Sequence, residues 1–475
     1  MNRVANFIGG RFVAPHCSGY FDDINPATAD PIAEVPDSDE RDIDDAVRTA
    51  RAAFPAWSRT PAAERSRLLL KLADLVEQNL DELARMESID NGKTLALAKK
   101  LDIPRAVLNF RFFATAILHQ ASEAHVTDAT ALNYTLRQPL GVVGLISPWN
   151  LPLYLLSWKI APAIAAGNTC VAKPSELTPL TANRLAELSL EAGIPPGVIN
   201  IVHGYGAKAG SALTCHEDVA AISFTGGTVT GAAVAANAAP RFKKISLELG
   251  GKNPNLIFAD ADLDDAVATS IRSSFWNQGE ICLCGSRIFV ERAIHDVFVD
   301  RFVAATKKLR IGDPLDDATD VGALISDSHL QKVMGYIDLA KQEGGTIVAG
   351  GNRVDRPGYF VEPTIVTGLG CDCRVLQEEI FGPVVTITPF DDEEEAIRYA
   401  NSTRYGLSAT VWTRDLSRAH RVAAALDAGT IWINCWLLRD LRVPFGGMKE
   451  SGVGREGGFD SLTFLTEAKN VCVKI

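Results

Sequence analysis

The sequence has no surplus of positive charge, no disulfide framework, no long uninterrupted hydrophobic run and no internal repeat, and each absence removes a class of function. A formal net charge of −11, with no cluster of Lys and Arg interleaved with aromatics, opposes a phosphate backbone. Nucleic-acid binding is therefore not expected. Nine cysteines, an odd number scattered from Cys17 to Cys472, read as free thiols of a reducing compartment, and a cytoplasmic location is expected. Residues 1–10 lack the basic start and apolar core of a signal peptide. Lys159 and Pro162 break the apolar stretch 151–166, so no membrane span is expected. Cys371 and Cys373 offer no full ligand set, so no metal is expected. The usual dinucleotide fingerprint GxGxxG is also missing.

What is present is a chain of 475 residues, 47% hydrophobic, long enough for more than one core. Short apolar runs at 141–147, 168–172, 198–202 and 220–224 read as strands, with helical patterns such as 178–192 between them. Strands so separated favour parallel pairing through right-handed crossovers, hence an α/β fold with a doubly wound sheet. A second series at 287–291, 346–349, 384–390, 409–413 and 430–434 predicts a second such domain. Residues 43–119 are mainly helical in pattern, including 62–91, and are expected to pack on the first sheet. The alternating segments 126–137 and 468–475 fit neither unit, and strands of that kind commonly pair across an interface. The acidic run 391–395 precedes a helical pattern, where carboxylates suit the N-terminal dipole.

Three polar residues stand where chemistry is possible. Cys282 follows a polar, Gly-containing segment leading from a helical pattern into a strand, although a lone Cys is more often an inert, buried hydrophobe. Glu248, in Leu247-Glu248-Leu249-Gly250-Gly251-Lys252, ends a strand-like run. Buried there it has a raised pKa and suits general-base work, the plainer reading being a salt-bridged carboxylate. Asn150 follows Ser147-Pro148-Trp149 at the end of the first strand and suits an oxyanion donor, or simply a turn before Pro152. In Phe224-Thr225-Gly226-Gly227 a strand runs into glycines and a helix start, offering free N–H groups to an anion, with Lys173 at another strand end.

These segments, with Lys173-Pro174-Ser175-Glu176, Gly279-Glu280-Ile281-Cys282, Glu379-Ile380-Phe381-Gly382-Pro383 and Pro444-Phe445-Gly446-Gly447, resemble the aldehyde dehydrogenase superfamily. The resemblance implies two doubly wound domains and a small β oligomerisation arm. It divides the chain into an NAD-binding domain (1–120 and 138–250), a catalytic domain (251–450) and the arm (121–137 and 451–475), with a homodimer or homotetramer expected. It implies Cys282 as nucleophile, Glu248 as base, and Asn150 with the Cys282 backbone N–H as oxyanion donors. It implies NAD as cofactor, with Lys173 and Glu176 on the adenosine ribose, Gly226 and the next helix start at the pyrophosphate, and Glu379 and Phe381 on the nicotinamide side. Ile146, Ser147, Trp149, Ser175, Gly206, Phe224, Gly227 and Leu249 complete the expected cofactor site. A carboxylate at Glu176 favours NAD over NADP, because it accepts from a free 2'-hydroxyl and repels a 2'-phosphate. Gly227, Glu280 and Cys284 depart from what many relatives carry.

More narrowly, residues 434–444 and Asp102-Ile103-Pro104-Arg105 resemble the 2-aminomuconic and 2-hydroxymuconic semialdehyde dehydrogenases. Arg105 and Arg439 are then expected to hold a substrate carboxylate, with Leu151, Trp158 and Phe445 beside them. The plainer reading is a structural salt bridge to Asp102 or Asp440. Three alternatives stay open at this point. These are oxidation of an uncharged aldehyde such as betaine aldehyde or an aliphatic one, a CoA-dependent acylating reaction, and a non-catalytic protein with this fold.

Overall fold

A computed structural model describes residues 2–475. Its first sheet has eight strands in the order Gly452–Val453, Lys244–Glu248, Val219–Thr225, Val142–Ile146, Thr169–Lys173, Ile199–Ile201, Asn6–Ile8, Arg11–Val13. The five central strands run parallel, and antiparallel strands close both edges. Val142–Ile146 and Thr169–Lys173 are buried at every position, which is how strands read when helices cover both faces. From Val142–Ile146 the chain first builds one side of the sheet, then returns to build the other. The strand order therefore reverses between Val142–Ile146 and Val219–Thr225, and a crevice opens beyond their carboxyl ends.

The second sheet is ordered Thr346–Ala349, Thr364–Thr367, Val384–Phe390, Arg287–Glu291, Pro254–Ile257, Ser408–Trp412, Thr430–Ile433, parallel except for its first strand. The helical region packs on the first sheet as expected: Leu69, Leu72, Phe110 and Phe113 share one core with Val143, Leu145 and Ile160. Residues 62–91 form two helices, Ala62–Gln78 and Leu80–Asn91, broken at Asn79. Among the described residues, no helix is long and apolar enough to cross a membrane.

The two outlying segments pair with each other. Ala124–Thr127, Ala131–Pro139 and Thr466–Lys474 form a three-stranded antiparallel sheet, registered from Thr466 opposite Pro139 to Lys474 opposite Ala131. Residues 451–465, expected in this arm, lie elsewhere. Gly452–Val453 pairs with Leu247 and Glu248, and the helix Gly458–Phe464 leads Leu462 and Leu465 into the first core. The reason is burial: Leu462 and Leu465 have apolar partners against the first sheet, whereas 466–475 alternates polar residues and stays mostly exposed.

Candidate active site

The crevice at the strand-order reversal is built from two strand ends. After Ile146 the chain turns through Ser147-Pro148-Trp149-Asn150 before the helix Pro152–Ala165. After Thr225 it passes Gly226 and Gly227 into the helix Thr228–Ala238. Pro148, Trp149, Asn150, Thr225, Gly226 and Gly227 line one cavity in this crevice. The Gly226 N–H donates to the Glu248 main-chain carbonyl at 3.0 Å, and a Cβ at Gly226 would strike the Phe224 ring. The hydroxyls of Ser147, Thr225 and Thr228 are buried there without a hydrogen-bond partner in the protein.

Cys282 lies where this cavity meets a second, largely apolar one lined by Leu151, Tyr154, Trp158, Arg439 and Phe445. Leu155, Thr225 and Leu249 share the junction with it. The loop before it is unusual: Asn277 and Gln278 take φ values of 50° and 55°, the left-handed region that side chains rarely adopt. The Asn253 amide fixes the loop beyond by donating to the carbonyls of Cys282 (2.7 Å) and Cys284 (2.9 Å). Burial, then the carboxylates of Glu379 and Glu248, push the Cys282 thiol up to about 12, with Arg439 opposing them.

Glu248 ends the sheet strand Lys244–Glu248, is 5% exposed, and lines the apolar cavity with Cys282. Neither of its oxygens has a hydrogen-bond partner, so the salt-bridged alternative is absent. Burial, then the negative charge of Glu456, hold its carboxyl well above the usual range. Asn150 is 3% exposed, and its Nδ2 donates to the Glu280 carbonyl at 2.9 Å, two residues before Cys282. One amide hydrogen is therefore committed to the loop before Cys282, and Nδ2 keeps a second.

Among the other residues expected at the cofactor, Lys173 Nζ donates to Glu176 at 3.1 Å and to the Pro174 carbonyl at 2.8 Å. Glu176 Oε1 also accepts from the Gly206 N–H at 3.5 Å. Burial, the largest influence, would raise Glu176, but Lys173 and the backbone N–H groups of Glu176 and Gly206 together hold the carboxyl below its ordinary value. Ser175 caps the turn by accepting from the Leu177 N–H. Leu249, Glu379 and Phe381 line the first cavity. Glu379 accepts from the Gly251 N–H at 2.9 Å, and the Phe381 ring stands edge-on to Trp149 at 5.3 Å.

In the apolar cavity, the Arg439 guanidinium lies 3.8 Å from the centroid of Phe445 and 6.0 Å from that of Trp158. Arg105 sits 5.4 Å from the ring of Tyr154, which lines the cavity. Arg105 is itself set behind that lining, with Nε and Nη2 buried and unpartnered. Burial, with Arg439 nearby, holds its pKa below the usual guanidinium value. Neither nearby carboxylate forms an ion pair with these arginines, although the charge of Asp440 acts on Arg105. Asp102 is paired with Lys93, and Asp440 with Arg442 at 2.6 Å. Arg111 is bound to Asp74 and Glu77, away from the cavity lining.

Residues 12–471 match the aldehyde dehydrogenase family. The chain belongs to the aldehyde dehydrogenase family. It is 56% identical to the 2-aminomuconic semialdehyde dehydrogenase of Danio rerio over 99% of this chain and 98% of that one. It is 49% identical to the 2-hydroxymuconic semialdehyde dehydrogenase of Pseudomonas sp. strain CF600 over the full length of both. The NAD+ complex of an aldehyde dehydrogenase from Bacillus cereus superposes with a TM-score of 0.98 at 43% identity, covering 100% of this chain and 97% of that one.

This dehydrogenase brings to its site residues that the sequence did not single out. His329 and Lys332 line the Trp149 cavity from the helix Asp327–Gln342, which belongs to the second unit. His329 Nε2 bonds the Phe381 carbonyl at 2.6 Å, and burial depresses its pKa to about 4, leaving a neutral ring. Beside Glu248, Lys159 bonds Ser223 (2.8 Å) and Glu456 (3.1 Å). These residues are far apart in sequence and carry no local motif, so only the fold could gather them.

A thiol raised to about 12 stays protonated until a base takes its proton. In the dehydrogenase without ligands, alkylation of Cys282 by iodoacetamide should rise about tenfold per pH unit between pH 7 and 9, in proportion to the thiolate present. A plateau beginning near pH 7, measured by mass spectrometry of the Cys282 peptide, would contradict this environment.

Proposed function

We propose that this aldehyde dehydrogenase oxidises an aldehyde with a carboxylate at its far end, 2-aminomuconic or 2-hydroxymuconic 6-semialdehyde, to the dicarboxylic acid with NAD. The observation that carries the reading is the pair of guanidiniums, Arg105 and Arg439, without carboxylate partners beside the cavity that ends at Cys282. Guanidiniums in a partly apolar setting call for an anion. The relatives named for muconic semialdehydes support the same reading.

The crevice fits NAD. Three orphaned hydroxyls and the free N–H groups at the start of the helix Thr228–Ala238 suit a pyrophosphate, and Lys173 with Glu176 suits ribose hydroxyls. Trp149, Glu379 and Phe381 line the same cavity as Cys282 and suit the nicotinamide side. The chemistry a bound NAD supplies is acceptance of a hydride. Cys282 gives its proton to water and its thiolate attacks the aldehyde carbon, the carbonyl electron pair moving to oxygen, and the second Asn150 amide hydrogen with the Cys282 N–H stabilises the oxyanion of the thiohemiacetal. Oxidation leaves a thioester on Cys282. Glu248, ionised, takes a proton from the water that attacks this thioester, and the acid leaves.

In this reading residues 1–120, 138–250 and 451–465 form the NAD-binding domain and 251–450 the catalytic domain. Residues 121–137 and 466–475 form an arm that joins subunits into a homodimer or homotetramer. The arm exposes Val126, Leu132, Leu136, Val473 and Ile475, apolar side chains on a thin sheet that a second subunit would cover.

The test is NADH formation from an acidic muconic semialdehyde and from a neutral aldehyde of similar length. We expect kcat/KM for the acidic substrate to exceed that for the neutral one by about 10²–10³-fold, as two charged contacts to one carboxylate imply. Equal values would overturn the substrate reading.

A further inference from the structure

Lys93 and Asp102 are charged, wholly buried, and used by no step above. Gly92, with φ of 85°, ends the helix Leu80–Asn91 and turns Lys93 inward. There Lys93 Nζ bonds the Asp102 carboxylate and donates to the Asn150 main-chain carbonyl at 3.0 Å, with Glu87 a further 3.7 Å contact. The same carbonyl accepts from Asn277 Nδ2 at 3.1 Å. Asn277 also reaches the Glu280 carbonyl at 3.3 Å, the oxygen to which the Asn150 side chain donates. The Asn150 peptide is thus held from two sides: by the left-handed loop before Cys282, and by an ammonium anchored on Asp102.

Asp102 closes a single π turn, Ala98–Asp102, and the next three residues are Ile103, Pro104 and Arg105. Leu101, in that turn, lines the substrate cavity. A buried ion pair adds little net stability, because desolvation offsets the attraction. What it does supply is a fixed geometry between the turn leading to Arg105 and the peptide bearing Asn150.

We propose that Lys93 and Asp102 are positioning residues that set the Asn150 amide and tie it to the turn carrying Arg105, so that seating a substrate carboxylate and aligning the oxyanion donor are one event. This rests on the roles given to Asn150 and Arg105 above. A charged end held at Arg105 fixes the turn; the turn fixes Asp102; Asp102 fixes Lys93; and Lys93 holds the Asn150 peptide where its amide faces the oxyanion.

The experiment is a double-mutant cycle using the isosteric Asp102→Asn and the paired Lys93→Met/Asp102→Asn, each in the natural and the Asn150→Ala background. Melting temperature and NADH fluorescence verify folding. With the acidic semialdehyde, Asp102→Asn should lower kcat by about 10- to 100-fold, part of the 10²–10³ attached to a whole oxyanion donor, while KM stays within about threefold. In the Asn150→Ala background the same change should cost less than about threefold, because two residues acting through one group are not additive. Unchanged kcat in a folded Asp102→Asn protein, or equal losses in both backgrounds, would overturn the proposal. If the unmutated enzyme turns over acidic and neutral aldehydes alike, the substrate reading fails. The cycle, run on either aldehyde, then still decides whether Lys93 and Asp102 act through Asn150.

Discussion

Mixed with NAD and an acidic semialdehyde, the Glu248→Gln enzyme should release about one equivalent of NADH per active site and then slow by roughly 10²–10⁴-fold, the usual worth of a general base. The acyl group should remain on Cys282, visible by intact mass. The asymmetry follows from the environment of the two groups. Glu248 is one of the charges that hold the Cys282 thiol up, so its removal eases thiolate formation while depriving the thioester of its base. Cys282→Ala removes the bond-forming atom itself, and should give neither the early NADH nor the slow phase. Steady turnover at the natural rate in either variant would refute the assignment. In the unmutated enzyme the slow step should accelerate with rising pH. Glu248 must be ionised to act, and its pKa lies well above the ordinary carboxylate value, so acid conditions lock it in the inactive protonated form.

The second large effect concerns the arginines. A hydrogen bond between charged groups contributes about 1.5–3 kcal/mol when partly buried, or roughly 10- to 150-fold in kcat/KM. Arg105→Ala and Arg439→Ala should each cost about that much with an acidic semialdehyde. The double variant should lose on the order of 10³-fold, less than the product if one carboxylate bridges both. A neutral aldehyde of the same length should lose less than about threefold, since it has no charge to hold. The two single variants need not match. Arg439 lines the cavity and stacks on Phe445, so its loss also removes packing, whereas Arg105 lies behind Tyr154, outside the lining. Equal losses on both aldehydes would show that the guanidiniums shape the cavity and do not bind a carboxylate.

Much of this was legible in the sequence because motif and strand end coincide. Asn150, Thr225 and Glu248 stand at the carboxyl ends of strands that alternation and apolar runs reveal, and the glycines after Thr225 mark the place where backbone must approach a ligand. The strand Pro254–Ile257 escaped notice although it is central in the second sheet. Its Pro and Asn argue against a strand, yet Pro254 is the opening residue, and Asn255 is satisfied by Ser270 and Trp412 at 2.8 and 3.0 Å. Thr364–Thr367 was missed as well, although it is no shorter than Thr346–Ala349, which the sequence did show. The plainer reading of Arg105 as an ion pair with Asp102 was physically reasonable at a spacing of three residues. What defeats it is Lys93, which approaches Asp102 from another helix end and could not be foreseen from local spacing. His329 and Lys332 enter the crevice from the second unit, a meeting that depends on how the two units pack.

The short strand Gly452–Val453 has a consequence for how the protein is made. It pairs with the strand ending in Glu248, from a segment synthesised some two hundred residues later, and it brings Glu456 to the side of Lys159. Until that segment leaves the ribosome, the edge of the first sheet stays unpaired and the surroundings of Glu248 are incomplete. A nascent or truncated chain can fold most of its first unit and still lack this wall beside Glu248, so activity should arrive only once residues 452–456 are in place.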